Sequence, residues 1–265
     1  MKKKIKLSKI VVVFILCFTA CNSDDDYYSN ENNESSERLV DKIYNYNNNL
    51  IGEYFYNGNN QLIKRKDTDA INNRSSQYEF MYTNNRISEI IYTDFTYPSL
   101  NHNILIYYNE EGQIFKDETY KNGLQIGERN YTYYQNGRLK GLVHENGVVN
   151  PIFIYNEGGN VHEVRLLSSP DSTDEIIYNY EFDCAAIPNF GMGKIFQIEP
   201  LPHFGTEAVL PKNLSCHNMT LNLQSGTEWL YEYNEYNLPK SIEMRWEGIE
   251  TEEPMLWRIN YRDIE

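Results

Sequence analysis

Tyr131-Thr132-Tyr133-Tyr134-Gln135-Asn136-Gly137-Arg138-Leu139-Lys140 reads as an aromatic strand end, a tight turn and the start of a second strand. Versions of it recur along most of the chain. Tyr54-Phe55-Tyr56-Asn57-Gly58 leads to Leu62, Tyr78-Glu79-Phe80-Met81-Tyr82 leads to Ile87, and Tyr107-Tyr108-Asn109-Glu110-Glu111-Gly112 leads to Ile114. Tyr155-Asn156-Glu157-Gly158-Gly159 leads to Val161, and Tyr231-Glu232-Tyr233-Asn234 leads to Leu238. Tyr56, Tyr82, Tyr108 and Tyr134 follow one another at intervals of 26 residues. A fixed period in this range marks a repeat architecture.

The repeat unit is made of strands. Ile176, Tyr178, Tyr180 and Phe182 alternate with other residues, as do Trp229, Tyr231 and Tyr233, and Trp257, Ile259 and Tyr261. Period two places such side chains on one face of a pleated strand. Tyrosine suits a half-buried sheet, its ring packed and its hydroxyl wet. Asn-Gly pairs at Asn57, Asn122, Asn136 and Asn146 sit between the runs and predict type I′ hairpin turns. No long segment keeps the i, i+3, i+4 apolar stripe of a helix.

The expected fold is therefore all-β, an antiparallel up-and-down meander of about 14–16 strands. A twisted sheet rarely exceeds ~10 strands without curling or splitting, so a strongly curved sheet, half-barrel or barrel follows. Many positions between the aromatic ones are Glu, Arg, Asn or Lys, which suits a water-facing sheet better than a membrane barrel.

The pattern stops at 183–216. That stretch holds Pro188, Pro200, Pro202 and Pro211 together with Phe190, Met192, Ile195, Phe196, Leu201 and Phe204. It is too long for a hairpin turn and too apolar for a linker, so it reads as an ordered insertion that plugs or covers the sheet, ahead of a ligand-binding role. Cys184 and Cys216 bracket it, either as a disulfide or as two buried thiols.

The N-terminus reads as an export signal. Lys2, Lys3, Lys4, Lys6 and Lys9 precede a short apolar run from Ile10 to Phe18, too short to span a bilayer alone. Phe18-Thr19-Ala20-Cys21 resembles a bacterial lipobox, with Phe18 in place of the usual Leu, and the resemblance implies lipidation of Cys21. Ser23, Asp24, Asp25 and Asp26 resemble the acidic export signal of Bacteroidota surface lipoproteins. The domain reading is 1–20 signal peptide, 21–38 lipidated acidic tether and 39–265 Tyr-rich β domain. Asp171-Ser172-Thr173 resembles a Bacteroidota O-glycosylation motif. The net charge of −14 becomes −19 once the five signal lysines are removed, which makes nucleic acid a poor partner.

Catalytic motifs are absent: no Gly-x-Ser-x-Gly, no His-Glu-x-x-His, no phosphate loop and no Cys-x-x-Cys. No cofactor or metal is expected. Trp229, Trp246, Trp257 and Phe204 are the candidate ligand contacts, with core packing the stronger claim on each.

The motif Tyr-x-Tyr-Asn-x-x-Gly-x-Ile/Leu resembles the YD repeats of Rhs-type shell proteins, and 118–141 resembles the MORN-like repeats of YwqK-type proteins. From Leu39 to Tyr261, with the Pro/Phe-containing break and Tyr231-Glu232-Tyr233-Asn234-Glu235-Tyr236-Asn237-Leu238-Pro239, the chain resembles Bacteroidota surface lipoproteins with a porin-like β-meander. That resemblance implies fold and outer-membrane location and brings no activity or catalytic residues. Three functions are open. The first is a lipid-anchored surface module, not an enzyme, that binds glycan or protein. The second is a structural spacer without a small ligand. The third is a carboxylate-dependent glycoside hydrolase. An aromatic row exposed in a concave face favours binding, a buried row favours structure, and two facing carboxylates in a cleft favour hydrolysis.

Overall fold

The computed structural model describes residues 38–69, 73–143, 147–167, 174–187, 190, 217–246 and 255–264. Sixteen strands follow one another: β1 (Arg38–Asn45), β2 (Leu50–Tyr56), β3 (Leu62–Asp69), β4 (Arg74–Thr83), β5 (Arg86–Asp94), β6 (His102–Tyr108), β7 (Ile114–Lys121) and β8 (Leu124–Tyr133). The second half is β9 (Leu139–Val143), β10 (Val149–Tyr155), β11 (Val161–Leu167), β12 (Glu175–Ala186), β13 (His217–Asn222), β14 (Thr227–Tyr233), β15 (Pro239–Trp246) and β16 (Met255–Asp263). Each pairs antiparallel with the strand before it, and β1 pairs with β16 to close a barrel. Of the curved forms expected from sequence, closure is the one adopted. The closing seam runs from Arg38 opposite Asp263 to Asn45 opposite Trp257, and it removes the two edges an open sheet would present.

The alternation sorts side chains by face. Leu62, Ile87, Ile90, Leu139, Phe153 and Val161 are each 2 % exposed or less, and they join one apolar cluster inside the barrel. Burying each such side chain contributes about 1.5–3 kcal/mol. The intervening outer positions carry charge. Lys64 pairs with Glu79 at 3.4 Å across β3 and β4, and Glu243 with Arg245 at 2.6 Å along β15. A membrane barrel has the opposite arrangement, an apolar outer band around a polar lumen. This wall is built to face water.

The two ends differ. The chain enters at Arg38 at what we call the entry end, where even-numbered strands finish. Five-residue turns there follow one plan. Asn57, Asn109 and Asn156 donate their N–H to the carbonyl four residues on (2.9–3.0 Å), and the residue three on donates back. The side-chain oxygen of Asn109 accepts the N–H of Gln113 at 2.8 Å, and Asn57 does the same for Gln61 at 3.0 Å. The left-handed residue falls three after the Asn: Asn60 (φ 59), Gly112 (φ 83), Gly159 (φ 79) and Asn237 (φ 59). Type I′ geometry therefore does not extend to the Asn-Gly pairs in general. Asn122 and Gly123 have it, both at positive φ, and Asn84-Asn85 shares it. In Asn57-Gly58 and Asn136-Gly137 the asparagine anchors or enters a longer turn instead, because its carboxamide can hold two main-chain N–H groups. Asn146 lies outside the described residues.

The tyrosine hydroxyls are not left to water. Tyr82 donates to the carbonyl of Leu62 at 2.8 Å, Tyr108 to Ile87 at 2.8 Å, Tyr133 to Ile114 at 2.6 Å and Tyr155 to Leu139 at 3.0 Å. Tyr56 to Val40 and Tyr261 to Pro239 extend the series around the seam. Each bond ties the end of an even strand to the start of the strand before it. The period thus has a structural meaning: one rung per strand pair. Burial pushes the Tyr108 hydroxyl up to about 12 and raises Tyr56, Tyr82 and Tyr261 as well, so these rungs stay protonated donors at any ordinary pH.

The insertion begins later than the sequence reading put it, since β12 runs on to Ala186, which pairs with His217. Phe190 is buried in the apolar cluster, its ring centroid 5.3 Å from that of Tyr54. At that residue the insertion enters the barrel, as a plug or cover does. Residues 191–216 lie outside the described set. Asp183 marks the departure: its carboxylate accepts from the Tyr233 hydroxyl, from the N–H of Ala185 at 3.0 Å and from the N–H of Asn218 at 3.2 Å.

Candidate functional site

Trp229, Trp246 and Trp257 come together, on β14, β15 and β16, all on the inner face toward the far end. Trp229 is opposite Met244, Trp246 opposite Thr227, and Trp257 opposite Ile242. Trp229 and Trp257 are buried and Trp246 half-buried. These rings pack the interior; they do not form an exposed stacking platform. The indole N–H of Trp229 is buried with no hydrogen-bond partner among the described residues.

The inner face of β3 to β8 is more polar. Arg65, 5 % exposed, forms an ion pair with Asp67, its guanidinium 4.5 Å above the Tyr78 ring. Asp117, fully buried, pairs with Arg129 at 3.0 Å and accepts the Tyr131 hydroxyl. Asp94, also fully buried, takes Arg74 at 2.6 Å and the Tyr92 hydroxyl at 3.1 Å. Ser76 stands between Asp67 and Asp94 in register. Two carboxylates thus share a row, yet each is matched to an arginine. Burial alone would raise Asp94, but the Tyr97 N–H, Arg74, the Thr96 N–H and the Tyr92 hydroxyl together hold it below the usual carboxylate range. A glycosidase acid needs the reverse shift.

On the outer wall, Glu118 accepts from the Tyr107 hydroxyl at 2.6 Å and the Tyr120 hydroxyl at 3.0 Å, while Lys116 lies 2.8 Å away. The Lys116 ammonium and then the Tyr107 hydroxyl hold its carboxyl at about 2. The cluster satisfies itself. Among the described residues no group of three or more His, Cys, Asp or Glu could hold a metal ion. His217 is committed elsewhere, with its N–H and ring both 3.0 Å from the Asn160 carboxamide.

The surface feature that sequence reading missed is at the far end. Of the fourteen large exposed apolar side chains among the described residues, ten sit there, in the loops or at the strand ends that border them. Leu124 and Ile126 follow the β7–β8 turn at 71 % and 60 % exposure, and Phe95, Tyr97 and Leu100 occupy the β5–β6 loop. Asp94 builds that loop. Its second oxygen accepts the N–H groups of Thr96 at 2.9 Å and Tyr97 at 2.8 Å, its own N–H donates to the Asn101 side chain at 2.7 Å, and Pro98–Leu100 form a single 3-10 turn. Arg74 stands 5.6 Å from the Tyr97 ring centre. The loop is held in place with its apolar side chains outward.

Several expected sites lie outside the described residues: Cys21, Ser23, Asp24, Asp25, Asp26, the Asp171–Thr173 motif, Phe204 and Cys216. Cys184 is on β12 and exposed.

No protein-family model matches the chain, and no curated relative matches it. Among solved structures, a porin-like protein from Bacteroides uniformis is similar, at 13 % identity over 86 % of this chain and 96 % of that one, with a TM-score of 0.48. A TcdB2-TccC3-Cdc42 complex aligns at 14 % identity over 73 % of this chain, with a TM-score of 0.30. TcdB2-TccC3 without its hypervariable C-terminal region aligns at 14 % identity over 76 %, with a TM-score of 0.29. This chain spans 10 % of the length of each of those two.

Proposed function

We propose that the protein is a lipid-anchored, surface-exposed envelope module of the outer membrane that acts by contact, as a rigid barrel, and not by catalysis. The observation that carries this is the fate of the aromatic row: its rings are inside, and tyrosine after tyrosine bonds its hydroxyl to the main chain. A side chain so committed is unavailable to a sugar or a peptide. The charged outer wall supports a water-facing barrel tethered to a membrane, as the lipobox-like Cys21 implies. Inward carboxylates matched to arginines support the absence of hydrolase chemistry.

A second reading is favoured by one observation. The Trp229 N–H, which has no partner among the described residues, would suit a ligand with a hydrogen-bond acceptor placed among the three tryptophans. Tryptophan emission separates the two. Titration of the purified protein with a panel of envelope glycans, beside a glycan array and an outer-membrane pull-down, should leave emission unchanged. Saturable quenching by one glycan would move the function into the barrel.

A further inference from the structure

Among the described residues the exposed apolar side chains gather at the far rim, and we infer that this rim rests on the lipid bilayer, so that the protein touches the membrane through its loops as well as through its anchor. The inference rests on the lipid-anchored reading above. Phe95, Tyr97, Leu100, Leu124, Ile126 and Leu223 come from three separate connections, β5–β6, β7–β8 and β13–β14, spaced around the circumference. A protein knob would meet one of these connections. A flat apolar layer meets all of them at once.

The opposite rim is the comparison within the same molecule. Its described turns, Asn57 to Asn60, Asn84-Asn85, Asn109 to Gly112, Gln135 to Gly137, Glu157 to Gly159 and Glu235 to Asn237, hold no large exposed apolar side chain, and only Ile63, Met81 and Phe115 are exposed on the described strand ends beside them; most of the β12–β13 connection on that rim lies outside the described residues. The rim chemistry also fits an interface. Tyr97 is of the aromatic type enriched at headgroup level, and Arg74 beside it supplies a cation there. With a mature charge of −19, attraction to anionic lipid is not the drive, so neutral lipid should serve.

Chain length permits the arrangement. The chain enters at the other end, so the tether must run the height of the barrel. Residues 22–37 give 16 residues between Cys21 and Arg38, which reach at most roughly 55 Å when extended. Strands of 7–10 residues stand about 25–30 Å tall. The far rim and the lipid can therefore occupy one leaflet.

Hydrogen exchange on the processed, full-length protein in phosphatidylcholine vesicles tests this. Segments 95–101 and 121–126 should exchange at least about fivefold more slowly on vesicles than in detergent-free solution, while 57–61 and 109–113 stay unchanged. The double variant Leu124→Ser/Ile126→Ser should lose most of the protection at 121–126 with strand exchange intact. Equal protection at both rims, protection at the turn rim alone, or none at either overturns the inference. So does far-rim protection that appears without vesicles and grows with protein concentration, since a second copy then covers it. Intact mass reads acylation of Cys21 separately, so an unmodified cysteine sinks the anchor without deciding the rim.

Discussion

The two ends of this barrel are closed by the same number of strands and differ in what their described connections expose. At the entry end the turns headed by Asn57, Asn109 and Asn156 are self-contained devices. An asparagine carboxamide holds the bend, a left-handed Asn or Gly finishes it, and a tyrosine hydroxyl bolts the neighbouring strand to the first residue beyond. In those turns the asparagine carboxamides find their partners within four residues of sequence. At the far end the connections vary in length, and the β5–β6 loop depends on a single buried carboxylate. Its apolar residues point away from the core. The contrast teaches that turn chemistry alone does not set one rim apart from the other. The Asn-built turn serves both rims, at Asn57, Asn109, Asn156 and Asn234 on one and at Asn45 on the other, and what separates them among the described residues is the exposed Leu, Ile and Phe of the far rim.

The largest break at the far end should come from Asp94→Ala. It strips the β5–β6 loop of its organiser and leaves the Tyr97 and Thr96 N–H groups and Arg74 without their acceptor. We expect a loss of about 2–3 kcal/mol in urea unfolding, with fast exchange confined to 95–101. Acid should act on the wild type in the same place. Asp94 has a folded value below its unfolded one, so its contribution is complete above about pH 4 and is lost as pH falls through the folded value. Protection in 95–101, taken relative to the intrinsic exchange rate at each pH, should therefore fall on acidification below pH 4, and Asp94→Ala should remove most of that dependence. If the variant keeps the wild-type pH profile, the loop is held by something other than this carboxylate.

The entry end should give way by smaller, repeated steps. Tyr82→Phe removes the donor to the Leu62 carbonyl and keeps the ring, for an expected loss of about 1 kcal/mol. Tyr56→Phe and Tyr108→Phe should cost similar amounts, and the triple variant should lose their sum within about 0.5 kcal/mol, since the rungs share no partner. Asn109→Ala, which frees the Gln113 N–H and side chain, should cost about 0.5–1 kcal/mol. A denaturant midpoint unmoved by Tyr82→Phe would show the hydroxyl to be as well served by water as by the carbonyl.

Much of this was legible in the chain. The Tyr-Asn-x-x-Gly-x-Ile/Leu pattern encodes a strand end, a bend and a strand start because each residue type does a local job. Local jobs survive translation from sequence to structure. The rung was half-legible: the 26-residue spacing located it, but not the carbonyl that receives each hydroxyl, and in the fourth unit Tyr133 takes the place of Tyr134. Closure was beyond reach, because the partners Arg38 and Asp263 are at opposite ends of the chain and no local signal joins them. Period two put Trp229 with Tyr231, and Trp257 with Ile259, on common faces without saying which face was inside. Leu124 and Ile126 were hidden for a different reason. At the start of a strand an aliphatic side chain looks like core, and only the three-dimensional position reveals that nothing covers it.

That last point yields the smallest expected effect and the sharpest test of the asymmetry. A core leucine replaced by serine costs several kcal/mol; Leu62, fully buried at the entry end, should behave so, with Leu62→Ser losing the transfer term and leaving a cavity. Leu124, 71 % exposed, has little to lose, and Leu124→Ser should change stability by no more than about 0.5 kcal/mol in either direction. A neutral result means the folded chain gains nothing from an apolar side chain at that position, so the reason for it must be outside the chain. A loss comparable to that of Leu62→Ser would mean the far rim is packed in solution. The difference between the two ends would then be one of architecture and not of contact.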